Sequence, residues 1–414
     1  MTASADTGSC VEEAMADAVA RPAGAETTIL PIIFAVSFCH MLNDIMQSMI
    51  AAIYPMLKAD YNLDFWQIGI LTLAFQCTAS LLQPVIGMIT DKKPFPYSLP
   101  FGMASTFIGL FVLASAGSYG MLVFAASLVG IGSAVFHPES SRVARLAAGG
   151  RYGFAQSVFQ VGGNLGQALG PLLAAFIIVP QGQASVAWFS LAAMLGIIVL
   201  SRVARWYKAH MIANAGRKRQ QHAHGLPRRV VMTALAVLVI LTFSKNIYMA
   251  SIGSYYTFFV IERFGVSVQQ SQIMLFVFLG ASAAGLLVGG PMGDRFGSKV
   301  VIWFSILGVL PFTLAMPYAS LPVVIVLSGI IGFVMASSFP AIIVMAQELV
   351  PGRVGLIAGV FFGFAFGMGG IAAAFLGILA DRHGIVTVYT ICSVLPALGL
   401  LTIFLPGRRA LRAA

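Results

Sequence analysis

Residues 67–93, QIGILTLAFQCTASLLQPVIGMITDKK, contain 24 residues without a charged side chain, followed by Asp91 and two lysines. Residues 270–295, QSQIMLFVFLGASAAGLLVGGPMGDR, repeat this arrangement 203 positions later and end at Asp294 and an arginine. About 20 apolar residues cross the hydrocarbon core of a bilayer as one helix. Two apolar stretches that end alike at a fixed offset therefore predict a membrane protein with a repeated helical unit.

The composition of the whole chain is that of a polytopic membrane protein. Of its 414 residues, 59% are hydrophobic and only 9% are charged, whereas soluble globular proteins have about 25% charged residues. This composition excludes a water-soluble enzyme, a disordered chain and a disulfide-stapled fold. Turn and charge signals divide the chain into windows that predict an all-α protein with 12 transmembrane helices. The predicted spans are 29–56, 67–90, 97–116, 120–146, 152–179, 185–206, 230–260, 269–292, 299–317, 321–349, 354–379 and 385–405.

The lysines and arginines divide unevenly between the two faces of the predicted bundle. Of the 24 basic residues, 20 lie on the face that carries both termini, three lie on the other face and Lys245 lies inside a span. Cytoplasmic loops of membrane proteins are enriched in Lys and Arg. We therefore predict that both termini are cytoplasmic, and the net charge of +10 indicates orientation and lipid contact rather than a nucleic-acid partner.

The offset between similar residues predicts two related halves. Asn43 and Asn246 are 203 positions apart, and Tyr54 and Tyr256 are 202 apart. Two parallel six-helix repeats around a central cavity are typical of secondary transporters. The predicted units are a disordered cytoplasmic tail at 1–28, an N-terminal six-helix bundle at 29–206, a basic cytoplasmic linker at 207–229, a C-terminal six-helix bundle at 230–406 and a cytoplasmic tail at 407–414. The four cysteines are scattered without metal-ligand spacing, and the chain has no H-E-x-x-H motif, so we expect no metal, no cofactor and no enzymatic activity.

Two sets of motifs resemble the major facilitator superfamily. The loops GMITDKK at 87–93 and GPMGDRFGSK at 290–299 are similar to its G-x-x-x-D-R-x-G-R-R loop. The resemblance implies a latch in which acidic side chains pair with neighbouring helix N-termini in one of two states, although charges that only set topology are an alternative. The implied gating or structural residues are Asp91, Asp294, Arg295 and, in a motif similar to the Gly-Pro signature of the superfamily's antiporters, Gly162, Gly166, Gly170 and Pro171.

Longer stretches are similar to a drug-resistance branch of the same superfamily. They include HMLNDIMQS at 40–48, FHPESSRVAR at 136–145 and QSVFQVGGN at 156–164. This resemblance implies a monomeric, proton-driven efflux pump of the bacterial inner membrane that expels a small anionic phosphonate antibiotic. An uptake symporter for an organic anion or sugar phosphate remains the alternative. Because Ala126 stands where the family pattern has an arginine associated with proton coupling, other groups must carry the proton.

Acidic residues inside predicted spans are the candidates for proton coupling. A charge at mid-bilayer costs about 2.5–3.5 kcal/mol on insertion scales, so such groups usually face a cavity. Asp44 lies 15 residues into the first span and shares a helix face with His40, Asn43 and Gln47. Each histidine inside the membrane is expected to stand alone.

The fourth span carries a second set of proton-coupling candidates near its predicted cytoplasmic end: His137, Glu139 and Arg142. Glu139 and Arg142 are three residues apart and are expected to pair. His137 and Glu139 are about 200° apart around a helix, so we expect them to point in different directions. Pro138 is expected to interrupt the helix.

Lys245 is the strongest candidate for substrate binding, because it is the one lysine inside a predicted span and a compact positive charge suits a phosphonate. Tyrosines lie on the same face of this predicted helix as Lys245 and form a stripe with it. Amide side chains in the fifth span form a face about 200° from its glycine face, which predicts that they line a water-filled cavity. The predicted substrate-binding residues are Lys245, Asn43, Gln47, Gln156, Gln160, Asn164, Tyr248, Tyr255 and Tyr256.

Overall fold

The computed structural model describes residues 27–213, 226–266 and 268–412. Residues 1–26 of the predicted tail and 214–225 of the predicted linker lie outside these ranges. Within the ranges the chain forms twelve main helical segments, further short helical turns at Tyr54–Asp60, 174–181 and Arg408–Arg412, and no strand, which confirms the all-α prediction. The segments are α1 (Leu30–Ala52), α2 (65–92), α3 (Ser98–Ala114), α4 (Tyr119–Leu146), α5 (Tyr152–Leu173), α6 (Gln183–Ala213), α7 (Arg228–Phe264), α8 (Val268–Phe296), α9 (Ser298–Tyr318), α10 (Leu321–Leu349), α11 (Val354–His383) and α12 (Ile385–Phe404). We call α1–α6 the N half and α7–α12 the C half.

Most segments have the length and composition of a membrane span. Among the described residues, nine helices are long and apolar enough to cross a membrane, and α3 and Val354–Phe364 of α11 are shorter apolar helices. The remaining segment, α5, carries the four amide side chains of the predicted polar face. Helix α5 is therefore polar through uncharged amide side chains.

Glycines in α5 let this helix lie directly against the backbone of α1. A Cβ atom at Gly162 would meet the carbonyl oxygen of Ser37, and one at Gly166 would meet that of Met41. A Cβ atom at Gly170 would meet the Ser48 hydroxyl. The predicted flat glycine face therefore packs on α1; the Pro171 side chain lies outside the described part of the chain.

The predicted interruption of the fourth span by Pro138 is wrong. Helix α4 runs from Tyr119 to Leu146 as one continuous α-helix with Pro138 inside it. A proline inside a helix removes one backbone donor and crowds the carbonyl group four residues earlier, but the residues from 136 to 144 are all buried among neighbouring helices. Packing on several sides therefore keeps the helix intact through the proline.

The two halves meet closely where α2 and α8 end. The backbone of Gly87 in α2 lies against that of Gly355 in α11, and the backbone of Gly290 in α8 lies against that of Gly153 in α5. The Ser157 hydroxyl adds a hydrogen bond to the Leu286 carbonyl oxygen at 2.8 Å. We call this closed side, which carries Asp91 and Asp294, the latch end.

Candidate transport site

A cavity of about 220 Å³ lies between the N half and the C half. Helices α1 and α5 supply one wall, and helices α7, α8, α10 and α11 supply the other. The N-half wall consists of His40, Asp44, Gln160, Gly163, Asn164 and Gln167. The C-half wall consists of Lys245, Asn246, Met249, Ser282, Leu286, Ala336, Phe339 and Phe362. The first wall is thus almost entirely polar, whereas the second is mainly apolar around one lysine.

Asp44 is held in the N-half wall by three amide donors. Its Oδ1 accepts hydrogen bonds from Asn43 Nδ2 at 3.0 Å and from Gln47 Nε2 at 3.3 Å. Its Oδ2 accepts one from Gln167 Nε2 at 3.0 Å. Donors to both oxygens stabilise the ionised carboxylate, although only 2% of the residue is exposed.

Two histidines flank the Asp44 carboxylate. His40 Nε2 lies 3.6 Å from Oδ2, and His137 Nε2 lies 3.6 Å from Oδ1. The rings are 5.0 Å apart between centroids, and one side-chain nitrogen or oxygen atom of each of the three residues lies within 4.8 Å of those of the other two. The expectation that each histidine stands alone is therefore wrong. We call these three residues the His–Asp–His cluster.

Backbone carbonyl groups fix which nitrogen of each histidine faces Asp44. His40 Nδ1 lies 2.8 Å from the carbonyl oxygen of Phe159, and His137 Nδ1 lies 3.0 Å from that of Ser133. Because a carbonyl oxygen only accepts hydrogen bonds, each Nδ1 carries a proton. In the neutral rings each Nε2 is then a proton acceptor that points towards the carboxylate.

Lys245 provides the charge of the C-half wall. It lies within α7, is 7% exposed, and its Nζ is 4.6 Å from the centroid of the Phe339 ring. No ion pair of this ammonium group occurs among the residues that the structure describes. The ammonium group faces the cavity with the ring of Phe339 beside it, so an anion in the cavity can reach it.

The predicted tyrosine stripe beside Lys245 does not line the cavity. Tyr248 and Tyr256 are buried in the core of the C half, where the Tyr248 hydroxyl lies 3.6 Å from the Met316 sulfur. Tyr255 packs against the same core. The cavity-lining residues of α7 besides Lys245 are Asn246 and Met249. Tyr248 and Tyr256 are thus in the protein interior, Tyr255 is half-buried, and these three predicted substrate-binding residues do not line the cavity.

Four of the five predicted amides lie at the cavity or beside Asp44. Gln160 and Asn164 line the cavity, as does Gln167 of the same helix face. Asn43 and Gln47 support Asp44 from α1 instead of lining the cavity, and Gln47 Oε1 also accepts a hydrogen bond from the Ser133 hydroxyl at 3.0 Å.

Gln156 lies near the latch end and not at the cavity, contrary to prediction. Its Oε1 accepts a hydrogen bond from the Ser141 hydroxyl at 3.1 Å, and this hydroxyl accepts one from Gln347 Nε2 of the C half at 3.2 Å. Arg145 Nη1 donates to Gln347 Oε1 at 3.2 Å. Gln347 was not predicted as a site residue; its signal in the sequence is an amide next to Glu348 near the end of a mainly apolar span.

Glu139 and Arg142 form a separate buried network towards the latch end. Arg142 Nη1 lies 2.9 Å from Glu139 Oε1, which confirms the predicted pair. Glu139 Oε2 accepts a hydrogen bond from the Ser98 hydroxyl of α3 at 3.2 Å, so it faces away from His137, as predicted. Arg142 Nη2 also lies 2.6 Å from Asp91 Oδ1. Arg142 therefore joins Glu139 to the latch.

Asp91 and Asp294 each hold the first turn of a helix in the opposite half. The Asp91 carboxylate accepts hydrogen bonds from the backbone N–H groups of Gly355 at 3.0 Å and Leu356 at 2.8 Å, at the start of α11. The Asp294 carboxylate accepts them from Gly153 at 2.8 Å and Phe154 at 2.9 Å, at the start of α5. A carboxylate is favoured at a helix N-terminus. Both latches are thus engaged, and they bind helix N-termini as the loop motifs predicted.

Arg295 lies beside the second latch on the surface. Its guanidinium carbon is 5.2 Å from the centroid of the Phe296 ring, and its backbone carbonyl oxygen accepts a hydrogen bond from Arg408 Nη1 at 2.8 Å. The contacts of Arg295 are therefore with its own loop and the last helical turn of the chain.

Comparison with known families agrees with this architecture. The family model described as Major Facilitator Superfamily matches residues 36–267 and 238–414. The chain belongs to the major facilitator superfamily. Within the superfamily it is 58% identical to the fosmidomycin resistance protein of Escherichia coli K12, over 92% of this chain and 94% of that protein. It is 41% identical to the uncharacterized MFS-type transporter YfnC of Bacillus subtilis 168, over 93% and 95% of the two chains.

Solved structures of the superfamily share the fold. The transporter FucP in the outward conformation superposes with a TM-score of 0.70 at 15% identity, over 91% of this chain and 98% of that one. The human organic anion transporter MFSD10 gives a TM-score of 0.71 at 17% identity, over 91% and 99% of the chains. The family and the fold establish a multi-pass membrane transporter of a small molecule rather than an enzyme.

Proposed function

We propose that the chain is a proton-coupled efflux transporter that exports a small anionic antibiotic, such as the phosphonate fosmidomycin, by alternating access. One observation carries the proposal: His40 and Asp44 of the His–Asp–His cluster lie on one wall of a cavity between the two halves, and Lys245 lies on the opposite wall. Cavities at such a repeat interface are where secondary transporters bind substrates and coupling ions. The name of the relative from Escherichia coli supports the substrate class.

The substrate anion binds at Lys245 in this proposal. The ammonium group has three donors, lies among apolar and aromatic neighbours and faces the cavity. In surroundings of low dielectric constant an unpaired charge attracts a counter-ion more strongly than it would in water. Asn246 stands next to Lys245 on the cavity wall and offers a further donor to a phosphonate oxygen.

The transported proton binds at the His–Asp–His cluster. Two imidazole acceptors and a carboxylate face one another at 3.6 Å, so an added proton finds an acceptor on either side of Asp44. The proton reaches the cluster from the cavity, because His40 and Asp44 both line it. His137 lies behind them and is fully buried. These three residues are our candidates for the proton-coupling site.

Alternation of access follows from the latch end. With both termini in the bacterial cytoplasm, as the charge distribution predicts, the engaged latches close the cytoplasmic side and this state takes up protons from outside. Release of Asp91 and Asp294 from the helix N-termini then opens the cavity inwards. Glu139 and Arg142 link helix α4, which carries His137, to the first latch. The proposed unit is a monomer in the inner membrane.

Proton flux driven by the substrate tests the proposal directly. Purified protein is reconstituted in inverted orientation into vesicles with an acidic lumen, and the lumenal pH is followed after fosmidomycin is added outside. Antiport predicts alkalinisation of the lumen, because protons leave as the drug enters. Asp44→Asn should abolish this signal, while the exposed-residue variant Asp60→Asn should retain it. No change of pH with the native protein would contradict proton coupling.

An uptake symporter for an organic anion is the second candidate, and one feature favours it. A proton added to the His–Asp–His cluster makes the N-half wall more positive, which by charge alone helps an anion to bind near Lys245. The same vesicles separate the two functions, because symport carries protons inwards with the substrate and acidifies the lumen. Acidification would therefore replace efflux with uptake as the proposed function.

A further inference from the structure

The His–Asp–His cluster brings together the ligand atoms of a metal site. His40 Nε2 and His137 Nε2 each lie 3.6 Å from a carboxylate oxygen of Asp44, and one ligand atom of each residue lies within 4.8 Å of those of the other two. Ligands at about 2.1 Å from a tetrahedral Zn²⁺ ion are about 3.4 Å apart. Side-chain shifts of about 1 Å or less therefore bring all three residues to one ion.

Neighbouring backbone groups orient both imidazole rings as metal ligands. His40 Nδ1 lies 2.8 Å from the carbonyl oxygen of Phe159, and His137 Nδ1 lies 3.0 Å from that of Ser133. Histidines that bind a metal almost always donate their other ring N–H to a carbonyl oxygen, a carboxylate or water, which fixes the tautomer and the ring orientation. Each ring is thus held with the Nε2 lone pair towards Asp44.

His40 Nε2 is an independent sign of a ligand in the cluster. The residue is 3% exposed, and this atom has no hydrogen-bond partner within the described ranges. Buried polar atoms are nearly always hydrogen-bonded, and each exception calls for an explanation such as a bound ion. Asp44 Oδ2, 3.6 Å away, accepts one hydrogen bond from the described residues, that of Gln167, and has a second lone pair. A cation between the two atoms satisfies both of them.

We infer that the His–Asp–His cluster binds a divalent first-row transition-metal ion, represented by Zn²⁺, through His40 Nε2, His137 Nε2 and the Asp44 carboxylate. The two nitrogen ligands favour such an ion over Mg²⁺ and Ca²⁺, which prefer oxygen. Three protein ligands leave one position of a tetrahedral ion open. Because His40 and Asp44 line the cavity, the ion enters from there and takes water or an anion as its fourth ligand. The cysteine spacing does not test this cluster, since its ligands come from two different helices.

A metal ion in this cluster would inhibit transport. It would occupy the nitrogen and oxygen atoms that the proposed function assigns to the transported proton. Its ligands come from α1 and α4, which belong to the same half, so the ion would not tie the two halves together. Inhibition is therefore expected from occupancy of the cluster. This consequence rests on the proposed function, whereas the binding of the ion does not.

Equilibrium binding of Co²⁺ and Zn²⁺ tests the inference. Co²⁺ is titrated into the purified full-length protein, which carries no polyhistidine tag and has been treated with a chelator. Four-coordinate Co²⁺ absorbs visible light far more strongly than hydrated Co²⁺, so we expect an intense band that saturates at one ion per chain and disappears when Zn²⁺ is added. His40→Gln and His137→Gln should each abolish the band and weaken Zn²⁺ binding by at least about 100-fold, beyond most losses of an outer-shell partner. The exposed-residue variant His383→Gln should keep both.

The native protein and a linker variant decide the inference even if the cluster variants fail to fold. The variant with both His222→Gln and His224→Gln removes a histidine pair outside the described ranges and should retain the band. The inference would be overturned by a native protein without an intense band, by loss of the band in the linker variant, or by a thiolate charge-transfer band, which would assign the ion to cysteines. Binding needs neither a gradient nor a drug, so these outcomes are independent of the vesicle assay, in which a failure of the proposed efflux function would be observed.

Discussion

The two walls of the cavity hold their charges in different ways. In the N-half wall, Asp44 is surrounded by three amide donors and two imidazoles, so its charge is distributed over a polar network. In the C-half wall, Lys245 has an aromatic ring beside it and no ion pair within the described part of the chain. A polar network suits a proton, which needs several acceptors in fixed positions, whereas an isolated cation suits an anion that arrives and leaves.

The largest effect is expected from breaking the N-half network at Asp44. Asp44→Asn keeps the shape of the side chain and removes its capacity to exchange a proton. One proton contributes about 2.3 kcal/mol per 100 mV and about 1.4 kcal/mol per pH unit. At 100 mV and one pH unit the attainable substrate gradient should therefore fall by about 500-fold, measured as steady-state accumulation in vesicles. The exposed-residue variant Asp60→Asn serves as the control, and an unaltered gradient in Asp44→Asn would remove Asp44 from the mechanism.

Removal of the charge in the C-half wall should affect binding rather than coupling. A hydrogen bond to a charged group contributes about 1.5–3 kcal/mol, so Lys245→Met should lower phosphonate affinity by about 10- to 100-fold in a calorimetric titration. The variant should also unfold at a higher temperature, because it removes a buried charge without an ion-pair partner. The exposed-residue variant Lys208→Met should change neither quantity. Undiminished affinity would show that the anion binds elsewhere.

The two latches at the closed side differ in the partners of their carboxylates. Asp91 pairs with the buried Arg142 in addition to its two backbone donors, whereas Asp294 has no ion pair within 4 Å among the residues described. Asp91→Asn should therefore lower the unfolding free energy by about 1–3 kcal/mol, the cost of a buried charged group that loses a partner. Asp294→Asn should have a smaller effect. Thermal unfolding of the two variants in detergent measures the difference, and equal shifts would argue against a special role of Arg142.

The smallest effects are expected from substitutions at Asn246 and Tyr248, two residues apart on α7. Asn246→Ala removes a donor from the cavity wall and should weaken phosphonate binding by about 2- to 12-fold, the range that corresponds to about 0.5–1.5 kcal/mol for one hydrogen bond. Tyr248→Phe removes a hydroxyl that contacts Met316 inside the bundle and should leave affinity unchanged. A loss of affinity in Tyr248→Phe alone would restore the tyrosine stripe that the sequence predicted.

The fold was predictable because it depends on local properties. Apolar windows, loop charges and a fixed offset specify twelve helices in two halves without knowledge of any contact between them. The pair of His40 and Asp44 was also predictable, since residues four apart share a helix face. His137 joins them from a different helix, and this relation depends on tertiary packing that periodicity does not report.

The wrongly predicted tyrosine stripe of the C half has the same cause: periodicity does not report which helix face meets the cavity. Lys245 faces the cavity as predicted, but the other cavity-facing residues of α7, Asn246 and Met249, are displaced from the predicted stripe by one residue, which is about 100° around the helix. In α5 the amides mark the polar face, so Gln160 and Asn164 were placed correctly. Helix α7 is apolar on nearly all sides, so its pattern does not specify which face meets the cavity.

The glycine crossings at the latch end have a practical consequence. Gly87 and Gly290 touch Gly355 and Gly153 backbone to backbone, with no space for even a methyl group between them. A bulky residue such as leucine at position 290 would wedge these helices apart and leave the opposite conformation as the ground state. Such a variant would be a trapped specimen for crystallisation or single-particle imaging, obtained without an inhibitor or a conformation-selective antibody.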